Sequence, residues 1–142
     1  MTRPTALVCE DDATTRGTLA VLLANAGYDV VAETALASEA VQLAGAHKPS
    51  VVILDLRLLG MSGRELLPHL LEAAPRTSVI VYTSDDQARQ SGELARAVAV
   101  VDKAHPESLT AVLDRLAGHA RPTSSWNTGS VADILTRLLE ET

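Results

Sequence analysis

Residues 51–60 read VVILDLRLLG: four aliphatic residues in succession, then the carboxylate of Asp55. Val51, Val52, Ile53 and Leu54 do not alternate with polar residues, so the run does not suit a strand with one wet face. A short, continuous, β-branched run suits a strand buried on both faces, as in a parallel sheet covered by helices. A charge directly after such a strand is unusual, and it stands where the chain leaves the buried layer.

Four further runs of this kind occur, Ala6 to Cys9, Asp29 to Ala32, Ser78 to Tyr82 and Ala97 to Val101. Between them lie stripes of helical period. Leu19, Leu22, Leu23 and Ala26 follow i, i+3, i+4, i+7, and so do Ala37, Ala40, Val41 and Ala44, then Leu67, Leu70, Leu71 and Ala74. Leu109, Val112, Leu113 and Leu116 repeat the pattern. A helix over Gln87 to Arg96 is polar and weakly patterned, which predicts loose packing or a partly exposed face. Asp12 is placed to cap the first helix and Gly27 to end it, Gly45 lies near the end of the second, and Pro106 suits the first position of the last. Pro68 falls several residues after Ser62, the expected cap, where it removes a backbone bond at a cost of about 3 kcal/mol, predicting a kink or a late start. Strand and helix alternate five times over the first 118 residues. This specifies an α/β fold, a doubly wound (βα)5 flavodoxin-like domain with a five-stranded parallel sheet and right-handed crossovers.

Beyond Gly118 the composition changes. Residues 119–129, with HARPTSSWNTG, read as a linker, and 130–142 as a short amphipathic C-terminal helix whose stripe is Val131, Ile134, Leu135, Leu138 and Leu139. A helix of that length is marginal alone in water and must dock on something.

Composition narrows the function. Apolar residues make up 46% and Gly plus Pro only 14 of 142, a globular profile. With no Phe, one Trp and two Tyr, base stacking on aromatic platforms is an unsuitable way of working, and a net charge of -6 argues against direct nucleic-acid binding. The N-terminal MTRPTALV has no long apolar segment and no apolar run approaches 18 residues, so a membrane span or secretion is not expected and the cytoplasm is the default. His47, His69, His105 and His119 lack metal-ligand spacing and are assigned to surface or capping roles, Cys9 to packing, and Trp126 to the linker or an anchor for the tail.

In a doubly wound sheet, ligands bind outside the carboxyl ends of the strands. Those ends carry Glu10 and Asp11, Asp55, Thr83 and Ser84, then Asp102 and Lys103. Close carboxylates repel by roughly 4 kcal/mol at 4 Å in a partly buried setting, so Glu10 and Asp11 beside Asp55 call for a cation or a helix end nearby. Carboxylate oxygens suit Mg²⁺, which also accepts phosphate oxygens. One carboxylate can then act as nucleophile towards phosphorus while Lys103 and Thr83 stabilise the charge on the transferred group.

These pieces together, LVCEDDATTR with Arg16, VVILDLRLLGMSG with Asp55, VIVYTSDD with Thr83 and AVVDK with Lys103, resemble the receiver domain of bacterial two-component response regulators, over about residues 5 to 117. The resemblance implies that Asp55 accepts a phosphoryl group from a histidine kinase or phosphotransfer protein. It further implies that Glu10, Asp11, Asp55 and the backbone carbonyl of Arg57 hold Mg²⁺, and that Thr83 and Lys103 contact the phosphoryl group. Arg16, five places after Asp11, marks Glu10 and Asp11 as the acidic pair and leaves Asp12 as the cap. Implied, too, is a phosphorelay switch and not an enzyme with a separate substrate, beyond slow self-dephosphorylation. Its output is protein association, with itself or a downstream partner, through the fourth-helix face or the tail.

Four positions depart from the pattern. Leu59 stands where the family has Pro, Ala104 follows Lys103 where a cis Pro is usual, Val100 occupies the place of an aromatic that turns inward, and Ser84 replaces a small residue. A non-proline cis bond costs about 2.5–4 kcal/mol, so a trans peptide and a less firmly aimed Lys103 are expected. These departures motivate the competing reading, a receiver-like interaction module that works independently of phosphorylation.

Overall fold

The computed structural model describes residues 3–85, 88 and 92–118. Its order is β1 (Thr5–Cys9), α1 (Ala13–Asn25), β2 (Asp29–Thr34), α2 (Ala37–His47), β3 (Val51–Leu54), α3 (Gly63–Ala73), β4 (Ser78–Thr83), β5 (Ala99–Asp102) and α4 (Pro106–Gly118). All five strands are parallel in the order β2-β1-β3-β4-β5. The order reverses between β1 and β3, so a crevice opens beyond the ends of these two strands. Cys9 pairs with Leu54 in register, which brings the residues that follow, Glu10 and Asp55, to the same level.

The unbroken aliphatic runs are explained by burial on both faces. Alternate residues Leu7, Cys9, Val52, Leu54, Val79 and Val81 form one core with Ala37, Ala40 and Ala44 of α2 and Leu66, Leu67, Leu70 and Leu71 of α3. The intervening residues Ala6, Val8, Ile53 and Ile80 are equally buried, and α1 lies against β1 and β2 with Leu19 and Leu23 inside. Of the two compact units into which the chain divides, the one ending at Thr110 holds the sheet; the other, from Ala111, is described only for the end of α4.

The capping chemistry follows the sequence closely at the start of the chain. Asp12 caps α1 by accepting the Thr15 N–H at 2.8 Å, and Gly27 closes the helix with φ of 92°. Gly45 lies near the end of α2, as expected; the helix runs to His47 and ends on Lys48, which takes the left-handed conformation (φ 45°) while its N–H reaches the Ala44 carbonyl. Two expectations need correction. First, α3 does not start late: it begins directly after Ser62, whose hydroxyl accepts the Glu65 N–H at 3.3 Å, and passes through Pro68. Burial of four leucines offsets the lost bond. Second, no α-helix is found over the described part of 87–96. Gly92–Leu94 form a 3-10 turn, the Ala97 N–H returns to the Leu94 carbonyl, and β5 therefore begins at Ala99 instead of Ala97. The segment offers no apolar stripe to hold a helix, and Gly92 disfavours one by about 1 kcal/mol. Among the described residues the chain thus has four α-helices for five strands. The linker 119–129 with Trp126 and His119, and the tail 130–142, lie outside the described residues.

Candidate functional site

At the ends of β1 and β3, carboxylate oxygens of Glu10, Asp11 and Asp55 lie within 4.8 Å of one another. Glu10 and Asp55 are buried, at 1% and 4% exposure, while Asp11 faces solvent. Lys103, at the end of β5, supplies the compensating charge. Its Nζ donates to Glu10 Oε2 at 3.2 Å and lies 3.4 Å from Asp55 Oδ2. It is also 3.0 Å from Glu10 Oε1, outside hydrogen-bonding geometry. One cation facing three carboxylates leaves the cluster negative. Burial, with Asp55 alongside, pushes the Glu10 carboxyl up to about 7 against the pull of Lys103. The ammonium of Lys103 is itself raised, because its pairing with Glu10 and Asp55 outweighs its burial.

Local backbone bonds hold these groups. The Asp55 N–H extends the sheet to the Cys9 carbonyl (2.9 Å), and Asp55 Oδ1 accepts the Arg57 N–H at 3.2 Å. The Glu10 N–H is bound to the Thr34 carbonyl at 3.0 Å, and Glu10 Oε2 accepts the Asp12 N–H at 3.3 Å. Thr83, 4% exposed, ends β4 beside Asp102. Its Oγ1 accepts the Asp85 N–H at 3.1 Å, and the Asp85 carboxylate is bound by Arg64 at 2.7 Å. A hydroxyl that accepts through one lone pair keeps its proton for donation. Three carboxylates and one ammonium thus meet beyond the ends of β1, β3 and β5, and the Thr83 hydroxyl stands at the end of β4 between them.

A sequence profile described as response regulator receiver domain matches residues 6–114. The chain belongs to that family. It is 36% identical over 90 residues to the transcriptional regulatory protein PdtaR of Mycobacterium tuberculosis, a match covering 63% of this chain and 43% of the relative. It is 26% identical over 113 residues to the chemotaxis protein CheY of Thermotoga maritima, covering 78% and 94% of the two chains. The chain thus spans less than half the length of PdtaR and nearly all of CheY. The crystal structure of the response regulator TrrA from Thermotoga maritima, in complex with Mg²⁺-BeF, has the same fold, with a TM-score of 0.73 at 23% identity over 80% of this chain and 98% of that one. This is a receiver domain of two-component systems, and Glu10, Asp11 and Asp55 form its acidic pocket.

The expected loosening of Lys103 is not seen, since its ammonium contacts two carboxylates of this pocket. Asp102 explains this. Its Oδ1 accepts the Ala104 N–H at 2.9 Å and its carbonyl accepts the His105 N–H at 2.9 Å, so the turn after β5 is tied without a proline. From the sequence, Asp102 stands at the strand end without a role. Gly63 carries no reading there either, yet a Cβ on it would stand 2.5 Å from the Asp55 carbonyl oxygen and 2.8 Å from Leu56 Cα. The signal was available in the quoted GMSG, because a glycine at a helix start next to a site often marks a close backbone approach. The remaining assignments hold where they are described: Cys9 is fully buried, His47 and His69 are exposed, and His105 pairs with Glu107 at 3.1 Å.

Proposed function

We propose that this receiver accepts a phosphoryl group on Asp55 from the phosphohistidine of a histidine kinase or phosphotransfer protein, in a Mg²⁺-dependent reaction, and that phosphorylation switches its protein associations. The observation that carries the reading is the convergence of Lys103 on both Glu10 and Asp55, with Asp11 completing the carboxylate group at the cleft mouth. The donor set fits the ion: all-oxygen, anionic, partly open to water, and with Glu10 Oε1 unbonded despite its burial. Glu10, Asp11, Asp55 and the Arg57 carbonyl would hold Mg²⁺, which when bound neutralises charge on the carboxylates and on phosphoryl oxygens.

The chain's own residues then have distinct tasks. An Asp55 carboxylate oxygen forms the P–O bond as the P–N bond breaks, and the imidazole nitrogen leaves with the electron pair and takes up a proton. Lys103 transfers part of its ion pairing from Asp55 to a phosphoryl oxygen, and the Thr83 hydroxyl donates to another. Hydrolysis by water at phosphorus regenerates Asp55, so the chain is a switch and not an enzyme acting on a separate substrate. Added charge at the cleft biases the neighbouring loops between two arrangements, and the output is association with a downstream protein or a second copy, through the 87–96 face or the tail, without direct binding of nucleic acid. We take the cytoplasm as its place of action; among the described residues no helix is long and apolar enough to cross a membrane.

The test is intact mass after incubation with a small acyl phosphate, with and without Mg²⁺, for the wild type and Asp55→Asn. A Mg²⁺-dependent gain of one phosphoryl group, absent in the variant, is expected. No gain from the acyl phosphate or from a phosphorylated histidine donor would overturn the reading in favour of a phosphorylation-independent interaction module.

A further inference from the structure

We infer that Arg16 is a positioning residue for the metal pocket, acting through the peptide that carries Asp11. The inference rests on the metal-binding role proposed above. Arg16 lies on the first turn of α1. Its Nη1 donates to the Glu10 carbonyl at 2.9 Å, and its Nε lies 3.8 Å from Glu33 Oε1 at the end of β2. The guanidinium side chain is 25% exposed.

The Glu10 carbonyl belongs to the peptide unit that ends in the Asp11 nitrogen, so the Arg16 bond sets the plane of that peptide. The N–H of Glu10 is already bound to the Thr34 carbonyl. With both sides of Glu10 tied, the direction in which the chain presents Asp11 is fixed before any ligand arrives. Asp11 needs this more than its partners do. Glu10 and Asp55 are confined by burial, whereas Asp11 is exposed and, among the described residues, has no side-chain hydrogen bond or ion pair that would orient it. Glu33 serves a second purpose: by pairing with Arg16 it offsets a positive charge that would otherwise oppose a cation in the pocket.

Orientation and charge predict opposite signs, which makes the inference testable. If Arg16 acts by orienting Asp11, replacing it weakens Mg²⁺ binding; if its charge dominates, replacement tightens binding. Outer-shell partners of metal ligands change affinity by about 10- to 100-fold. The experiment is calorimetric titration of Mg²⁺ into the full chain, wild type, Arg16→Met and Arg16→Lys, with thermal stability measured separately in chelator. Arg16→Met is expected to raise Kd about tenfold, and Arg16→Lys to fall between, because an ammonium can donate to the carbonyl without bridging to Glu33. An Arg16→Met Kd equal to or tighter than wild type overturns the inference, as does a loss of stability in chelator with Kd unchanged, which is the mark of a merely structural role. A wild type that binds no Mg²⁺ overturns the metal reading, and this inference with it.

Discussion

Gly63→Ala should damage this protein in a way that an otherwise similar substitution, Gly17→Ala, does not. Gly63 opens α3, and its Cα packs against the strand end that carries Asp55: an added methyl would meet the Asp55 carbonyl oxygen at 2.5 Å, Leu56 Cα at 2.8 Å and Leu56 Cδ2 at 3.1 Å. Carbon atoms are comfortable at about 3.5–4.0 Å, so backbone must retreat by roughly 1 Å. Two of the three neighbours are main-chain atoms and cannot rotate away. Overpacking of this kind costs about 1–3 kcal/mol. The gain from Gly to Ala in a helix, at most about 1 kcal/mol in the interior, is smaller at a first position and does not offset it. Gly17 sits within α1, is exposed, and has nothing within 4 Å of its added Cβ, so the same change there should stabilise by about 0.5–1 kcal/mol.

Urea unfolding followed by circular dichroism reads the difference directly. The two variants should move the midpoint in opposite directions at constant slope, with about 1.5–4 kcal/mol between them. Because the atom displaced by Gly63→Ala is the carbonyl of Asp55, phosphoryl uptake from an acyl phosphate should slow in that variant and be unaffected by Gly17→Ala. Equal midpoint shifts would refute the reasoning, since they would mean that the close approach at Gly63 relaxes without cost.

Leu59→Pro and Ala104→Pro restore residues usual in the family, and both should nevertheless destabilise: each deletes a hydrogen bond in use, Leu59 N–H to the Ala35 carbonyl at 3.1 Å and Ala104 N–H to Asp102 Oδ1 at 2.9 Å. The expected net loss is about 1 kcal/mol at Leu59 and about 1–2 kcal/mol for the charge-assisted bond at Ala104, partly offset by a stiffer unfolded chain, and a raised melting temperature in either variant would contradict this. Cys9 is fully buried and its thiol is pushed up to about 12 by desolvation, so an aromatic disulfide reagent should react only as fast as the protein unfolds; rapid labelling of the folded protein at pH 8 would count against the described packing. The sign is that of a raised acid: its contribution to stability is present below the ordinary thiol range and is lost as pH rises towards 12.

The fold was legible wherever burial acts on consecutive residues. VVIL, ALVC and SVIVY read as two-sided strands because both faces of the sheet are covered, and the leucine stripes at 19–23 and 67–71 read as helices because one face is. Legibility failed where backbone geometry decides. Nothing in the residue types announces that Lys48 takes a left-handed φ of 45°, or that Gly92–Leu94 close as a short 3-10 turn. The site divides along the same line. Glu10, Asp55, Thr83 and Lys103 were readable because a charged or polar side chain at the end of a buried strand is costly without a purpose. Asp102 and Gly63 were less so, because they act through main-chain atoms of their neighbours, an accepted N–H in one case and a missing Cβ in the other, and only a glycine at a helix start gave a signal.

The two missing prolines bear on the choice between a working switch and an inert module. Read from sequence alone, Leu59 and Ala104 suggest decay of the loops on either side of the pocket, since a proline restricts φ and a replacement frees it. The structure shows a substitution of one constraint for another. A proline has no N–H, and at both positions the amide that proline would lack is bound. Leu59 pairs with the β2–α2 connection, donating to Ala35 and accepting from Ala37, and Ala104 is bound by its neighbour Asp102. Rigidity supplied by a fixed φ and rigidity supplied by a hydrogen bond differ in one respect: the second is lost if its partner is removed. Asp102 should therefore matter more here than in relatives that keep the proline, and Lys103, whose aim depends on that turn, reaches Glu10 and Asp55 because the bond is made.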